Sequence, residues 1–516
     1  MILEVVVSVV IVLTTLIILN LKWSFRFWKN RNVYTPEPIV PFGNVKSVIF
    51  GKENIGAVTT KIYNIVKAKG LRYGGFYFFN RPMFVPVDRT LIRHILITDF
   101  QHFTDHSGPI DDKREPLAAH LFSLTGAKWK ALRTKLTPLF TSGKLKMMFQ
   151  TLVDCTNDFP CALDSAIKRK EPFDIKDTFA RYTTDVIGSV AFGIDCNCLK
   201  NPNTEFRVYG RKVFEVGWTE SVINAINLIC PELMAIFRLK VTKVDVENFF
   251  MNMVKETVDH RDKNHYERND FIQLLMNLRN KEIKVESSLD ENGTENHIAY
   301  YQNGLTIEEI AAQSFVFFLA GFETSSTTLN FLMYEIVLHL EIQEKLREEV
   351  VTVLKAHDGK ITYEAIQEMT YMDKCINETL RKYPPLPVTP RRCTKDYKVP
   401  DSDLVIEKGR SVLIPIYGIQ HDPEYYPDPE KFDPERFSEE NKNKRPPVTF
   451  IPFGEGPRIC IGLRMGLLQA KVGLTALLRD YKFTLNNKTK VPLQFAGRQF
   501  ISTADGGVWI EAEKVQ

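Results

Sequence analysis

The stretch Phe453-Gly454-Glu455-Gly456-Pro457-Arg458-Ile459-Cys460-Ile461-Gly462 sets one cysteine in a loop of glycine and proline, directly ahead of an apolar run from Leu463 to Leu474. Gly454, Gly456 and Pro457 let the backbone turn tightly and approach something flat. The apolar run predicts a helix that begins just after the cysteine. A thiol there has its thiolate stabilised by unpaired N–H groups and by the helix dipole, and Arg458 adds positive charge. A single strong thiolate with no other ligand beside it fits haem iron better than zinc. A solitary cysteine is ordinarily a small buried hydrophobe, so the other chemistry-bearing residues have to be weighed with it.

One such group is Ala320-Gly321-Phe322-Glu323-Thr324-Ser325-Ser326-Thr327-Thr328, inside the longest helical pattern of the chain. Glycine and hydroxyl residues are poor helix formers, yet they follow the apolar Phe315-Val316-Phe317-Phe318-Leu319. An acid beside an alcohol, Glu323-Thr324, can relay protons into an apolar pocket. A helix kink with hydroxyls bonded back to carbonyls explains the same string. Trp129 and Arg133, four apart on a helix, present two pure donors on one face and suit a buried anion. Glu378 and Arg381 also share a helix face.

As an ordered set these strings resemble the cytochromes P-450. Phe453 to Gly462 resembles that family's haem loop, and Ala320-Gly321-x-Glu323-Thr324, about 135 residues earlier, resembles its oxygen-helix motif. Trp129-x-x-x-Arg133, Glu378-x-x-Arg381 and Pro434-Glu435-Arg436-Phe437 match the remaining motifs. The string from Phe179 to Gly193 resembles insect microsomal members of the sixth family. The resemblance implies a mainly α fold with small β-sheets, preceded by a membrane-anchor helix. It implies haem b (iron protoporphyrin IX) on Cys460, with Phe453, Gly454, Gly462, Ala320 and Gly321 against it. Trp129, Arg133, Arg391 and Arg458 are then propionate partners, with Arg392 competing for the place of Arg391. Glu378, Arg381 and Arg436 become a structural triad. Phe122, Val316, Leu319, Ala320, Leu386, Phe500 and Ile501 are expected to line the substrate pocket. Aromatic residues at Phe103, Phe122, Phe315 and Phe500 point to a large apolar ligand.

Composition agrees with a full-sized globular core: 44 % hydrophobic and 25 % charged residues in a chain of 516. A net charge of +4 gives no case for nucleic acid. The 8 cysteines form no CxxC pair, which argues against zinc ribbons and a disulfide framework, and leaves Cys196 and Cys198 as an incidental pair.

Residues 1–21 are almost wholly apolar and are followed by Lys22, Arg26, Lys29 and Arg31, so they read as an uncleaved transmembrane signal anchor with the rest of the chain in the cytosol. Trp23, Phe25, Phe27 and Trp28 suit the membrane–water interface. Residues 22–44 form a basic, proline-rich hinge, and 45–516 the catalytic domain. Ile55 to Lys69 reads as a helix, Leu71 to Val87 as a hairpin around Asn80-Arg81-Pro82, and 104–125 as a long loop. Residues 279–304 are charged and polar with few apolar anchors, a surface loop or disordered linker.

The resemblance implies a monooxygenase of the endoplasmic reticulum membrane that inserts one oxygen atom of O2 into a lipophilic small molecule, a xenobiotic, insecticide, plant toxin, hormone or lipid. Glu323 and Thr324 would deliver the protons that cleave the O–O bond, and the thiolate would favour that cleavage. The chain has no flavin or dinucleotide motif, so electrons must come from another protein. NADPH–cytochrome P-450 reductase, with cytochrome b5 as a second partner, is the expected source. Lys128, Lys130, Lys135, Lys144 and Lys146 offer a basic patch for it, or a plain solvated face. The alternatives are a haem-thiolate isomerase or dehydratase, against which the intact Glu323-Thr324 argues, and a non-catalytic haem- or ligand-binding membrane protein.

Overall fold

The structure, a computed structural model, describes residues 2–279 and 304–515, apart from positions 109, 216, 218, 221, 222, 224, 225 and 227–230. The helices that position the site are, in chain order, α1 (Ile2–Ser24), α2 (Ile55–Ala68), α3 (Gly126–Leu136), α4 (Ile175–Ile187), α5 (Glu205–Phe214), α6 (Val244–Asn264), α7 (Ile307–Leu338), α8 (Leu340–Ala356), α9 (Thr370–Lys382) and α10 (Leu463–Asp480). The strands are β1 (Tyr73–Phe78), β2 (Arg81–Pro86), β3 (Phe173–Asp174), β4 (Thr389–Arg392), β5 (Tyr397–Lys398), β6 (Val405–Ile406), β7 (Ser411–Ile414), β8 (Tyr481–Leu485) and β9 (Trp509–Lys514). A mainly helical chain with small sheets is what the sequence predicts.

Thr306 starts α7 with a capping box: its hydroxyl accepts the Glu309 N–H at 3.2 Å, and the Glu309 carboxylate accepts the Thr306 N–H at 2.9 Å. Thirty-two residues follow without a break. This helix runs through the larger core, where α4, α6, α9 and α10 pack on it. The second core lies under the four-stranded sheet β1-β2-β7-β4, in which β2 pairs parallel to β7 and the other pairs are antiparallel. The predicted hairpin is present but turns at Phe79 and Asn80, with Phe79 at φ 51°, so that Arg81 and Pro82 already belong to β2. A smaller sheet, β3-β9-β8, closes the helical side.

The segment ahead of the globular part differs from expectation in one respect. Trp28 is 2 % exposed, its indole N–H donates to the Phe76 carbonyl at 3.3 Å, and Gly75 has room for no side chain beside it. It is a core residue, because β1 offers it both an apolar bed and an acceptor. Trp23 stays exposed. The hinge docks through backbone bridges from Gly43 to Ile39 and Phe78. Along α1, Ile2, Leu3, Ile11, Val12, Leu16 and Leu19 are exposed. Among the described residues no helix is long and apolar enough to cross a membrane; the side chains at 9, 10, 13 and 17 of α1 lie outside that set. The polar stretch expected at 279–304 falls almost wholly outside the described residues.

Asp185, Cys196 and Cys198 bring three ligand-type atoms within 4.8 Å of one another. The Asp185 carboxylate already accepts the N–H groups of Cys198 and Leu199 at 2.6 and 3.0 Å, so the group ties the loop after α4 to that helix.

Candidate active site

Cys460 sits where the sequence predicts, in a loop closed by the Cys460 N–H on the Phe453 carbonyl at 2.9 Å. Gly454 and Gly456 take φ 74° and 73°, and a side chain on Gly456 would collide with the Leu96 carbonyl. Gly462 then opens α10. Burial pushes the thiol up, while the N–H groups of Gly462 and Leu463 and the charge of Arg133 pull it down. Cys460 as a residue is nonetheless exposed. Protein groups thus crowd the thiol without covering the residue. The charge beside it is that of Arg133 and not, as the sequence suggests, Arg458.

A second uncovered patch lies on α7. Its middle is buried except at Ala320, which is exposed, and at Phe317, Leu319, Gly321, Glu323 and Thr324, which are half-buried. A small exposed residue in the middle of a core helix marks a face that no protein atom covers. Gly466 of α10 lies opposite Ser325 of α7, so the helix after Cys460 holds this face in register with the cysteine loop. Thr324 donates its hydroxyl proton to the Ala320 carbonyl, and Thr328 to the Thr324 carbonyl at 2.9 Å. The back-bonding expected of a kinked helix and the open face expected of a site occur together. Glu323 turns the other way, toward α4, where the Lys176 ammonium donates to it at 2.5 Å.

A cluster of cations borders the same region. The Arg458 guanidinium lies 4.1 Å over the Trp129 ring and donates to the carbonyls of Thr104, Leu121 and Leu124 at 2.7, 3.1 and 2.7 Å. Burial, helped by the charges of Arg391 and Arg133, pushes it down to about 9, and Asp105 at 3.9 Å is too distant to restore it. Arg391 is almost fully buried with its Nε unpartnered, and its Nη1 bonds only Thr389 and the Pro390 carbonyl. Burial lowers it to about 10. Arg392 is directed instead toward Gly108. Burial likewise lowers Arg133. Three desolvated guanidiniums against one weakly paired carboxylate are costly unless an anion completes them. A flat ligand carrying carboxylates at its edge and a metal at its centre fits this donor set.

Sequence reasoning misses two residues here. His106 stacks on Phe122 with ring centroids 4.4 Å apart, and burial together with Arg391 and Arg458 holds it well below its ordinary pKa. Asp105 starts α3 by accepting the Gly126 N–H at 2.9 Å. Neither belongs to a recognisable pattern.

The clamp is built as expected. Arg381 donates twice to Glu378, at 2.8 Å each, and both side chains are 0 % exposed. Arg436 stands 3.5 Å from the same carboxylate. Desolvation raises the Glu378 carboxyl against the pull of Arg381. Gln420, which the sequence does not single out, completes the link: it accepts the Ile451 N–H at 3.0 Å and donates to the carbonyls of Leu380 and Arg381 at 2.9 Å. The clamp therefore grips the strand of chain that enters the cysteine loop.

The expected pocket residues divide. Phe122 is exposed, Leu319 and Leu386 are half-buried, and Val316 lies at the edge of the core. Ser502 bonds the carbonyls of Pro384 and Pro385 at 2.8 and 2.9 Å, which brings exposed Phe500 and half-buried Ile501 beside Leu386. Phe103 and Phe315 do not belong with them. Phe103 packs edge-on against Tyr397 in the sheet core and Phe315 against Phe250 in the helical core, since protein aromatics already cover both rings. Lys135 is buried rather than part of a basic patch, and Lys128 and Lys146 pair with Asp112 and Glu364.

Residues 35–510 match the family model described as cytochrome P450. The chain is 42 % identical over 511 residues to the probable cytochrome P450 6a14 of Drosophila melanogaster, covering 97 % of this chain and 98 % of that one. It is 39 % identical over 515 residues to cytochrome P450 6a9 of the same fly, covering 99 % of each. To cytochrome P450 6A1 of Musca domestica it is 38 % identical over 509 residues, covering 98 % of this chain and 97 % of that one.

Proposed function

The chain belongs to the cytochrome P450 family, a haem b monooxygenase family with a cysteine-thiolate ligand, and on that premise we propose that it oxidises a lipophilic small molecule at the membrane of the endoplasmic reticulum with electrons from NADPH–cytochrome P450 reductase. The observation that carries the reading is the exposed Cys460 in its glycine loop ahead of α10, a helix whose Gly466 packs against Ser325 of α7 beside the uncovered Ala320.

Haem held through Cys460 supplies the activation of dioxygen, and the thiolate tunes it. The polypeptide does the rest. Gly462 and Leu463 turn their N–H groups to the sulfur and Arg133 adds charge, which favours the ionised form. Arg391, Arg458 and Arg133, with Trp129, hold the edge carboxylates. Ala320 and Gly321 leave room above the ring. Thr324 and Glu323 carry protons inward from solvent. Phe122, Leu319, Leu386, Phe500 and Ile501 receive an apolar substrate and exclude water. The 23 residues of α1 extend about 35 Å, and the sequence of that segment is almost wholly apolar. Its exposed apolar face supports an anchor there, with the hinge docked on β1 fixing the globular part above the bilayer.

The test is hydroxylation at carbon of a lipophilic probe such as coumarin, whose hydroxylated product retains the inserted oxygen, by the full chain reconstituted with the reductase, NADPH and isotopically labelled dioxygen. One labelled oxygen atom in the product for each NADPH spent on product is expected. A rearranged product without label would favour an isomerase, and haem-loaded protein without turnover of a panel of lipophilic probes would favour a ligand-binding role.

A further inference from the structure

Asp185, Cys196 and Cys198 form a cluster that the oxidation chemistry does not use. It stands where α4 ends. The chain leaves that helix at Gly188 and turns back at Gly193, with φ 70°. The Ile194 N–H donates to the Gly188 carbonyl at 3.1 Å, and the Cys196 sulfur lies so close to Gly188 that a side chain there would collide with it. The Asp185 carboxylate accepts the Cys198 N–H on one oxygen and the Leu199 N–H on the other, at 2.6 and 3.0 Å. One carboxylate oxygen and two sulfurs thereby come within 4.8 Å of one another. Asp185, Cys196 and Cys198 are 7, 8 and 0 % exposed, so the cluster is walled off from water.

Two properties of the cluster call for a cation. The carboxylate is buried without one: among the described residues no ammonium or guanidinium pairs with Asp185, and Lys200, which feels its charge, is held by Asp158 at 3.0 Å. Burial pushes the Asp185 carboxyl up against the pull of both N–H groups. Buried charges in proteins are paired or coordinate metals. The second property is the donor set, since two thiolates and a carboxylate suit zinc and its softer relatives. In a tetrahedral site with metal–sulfur bonds of about 2.3 Å the sulfurs stand about 3.8 Å apart, so the cluster closes with shifts of no more than about 1 Å. Outer contacts are already in place. The two N–H groups orient the carboxylate, and the Thr204 hydroxyl, 3.2 Å from the Cys198 sulfur, can donate to a thiolate.

From this geometry we propose that Asp185, Cys196 and Cys198 bind one thiophilic divalent cation, zinc by preference, with water in the fourth position. Entry of the cation releases the two thiol protons to solvent, and nothing is oxidised or reduced. The loop that carries both cysteines leads through Thr204 into α5. Phe206 of α5 packs edge-on against Phe318 of α7 with centroids 5.2 Å apart, and Gly210 leaves no room for a side chain beside the same ring. The metal therefore pins the start of α5 over α7.

The probe is zinc itself, added to the full haem-loaded chain after treatment with a chelator under a reductant. After desalting, elemental analysis is expected to find one zinc per chain in the wild type and in Cys161→Ser, which removes an exposed thiol outside the cluster. Cys196→Ser and Cys198→Ser should each bind at least about tenfold more weakly, since even the outer partners of a metal site are worth that much. Cadmium in place of zinc should add sulfur-to-metal charge-transfer absorption in the ultraviolet that both serine variants lose. Zinc should also raise the thermal midpoint of the wild type and not that of Cys198→Ser. No zinc retained by the wild type, equal zinc in both serine variants, or a Cys196–Cys198 disulfide in protein purified under reductant overturns the site. Should Cys196→Ser lose its haem, Cys198→Ser, which keeps a hydroxyl beside Thr204, supplies the same comparison. None of these readouts needs turnover, so the site stands or falls apart from the oxidation proposed above.

Discussion

Two sets of buried arginines stand in this molecule under opposite conditions. Arg381 has a carboxylate on one edge and the Gln420 carbonyl on another, so the polypeptide satisfies it unaided. Arg391 and Arg458 are just as far from water, and their partners are carbonyls, a hydroxyl and one carboxylate at 3.9 Å. The first set completes the fold. The second is incomplete until an anion arrives, which is how the same side chain serves architecture at one place and cofactor binding at another.

The sharpest break in the comparison comes from removing one arginine of each kind. Arg381→Ala leaves Glu378 buried without its partner and should cost about 3–5 kcal/mol, read as a collapse in haem-loaded yield and thermal midpoint. Arg391→Met should leave the haem-free polypeptide as stable as before or more so, because it removes an unpaired buried charge. The same change should weaken haem by about 1.5–3 kcal/mol, the worth of a charge-assisted hydrogen bond, or roughly 10- to 100-fold in dissociation constant. If Arg391→Met destabilised the haem-free protein as much as Arg381→Ala does, the distinction would fail.

Alkali sharpens it next. Burial depresses Arg391 and Arg458 to about 10 and about 9 in the polypeptide. A base with a depressed folded pKa carries a cost below that pKa which is relieved as pH rises through it. An anion that restores the charge therefore loses affinity only as pH rises above about 9, and haem transfer to an acceptor globin should be faster in strongly alkaline than in neutral buffer. The smallest effect belongs to the surface: Lys374 pairs with half-exposed Glu435 at 2.8 Å, and Lys374→Met should shift stability by no more than about 1 kcal/mol in a thermal melt.

Much of the site was legible in the sequence where chemistry rides on local spacing. The Glu378/Arg381 pair and the Thr306/Glu309 cap each span three positions, and both contacts form; the ten residues of the cysteine loop turn at the glycines that the sequence marks. Contacts between distant stretches left no such trace. Gln420 joins α9 to Ile451 across 40 and 31 positions, and Lys176 meets Glu323 across 147. His106 and Asp105 sit in an irregular loop with no period to betray them. Side-chain direction was the other hidden quantity. Trp28 turned into the core because β1 offered it an acceptor, Phe103 and Phe315 turned toward other aromatics, and Arg458 turned away from the cysteine two residues after it.

The most direct measurement is the carbon monoxide difference spectrum of the reduced protein beside that of Cys460→His. Thiolate ligation by Cys460 predicts a band at about 450 nm that the substitution abolishes. A band at about 420 nm in freshly prepared, active wild-type protein, or one at about 450 nm that survives the substitution, would contradict the site described above.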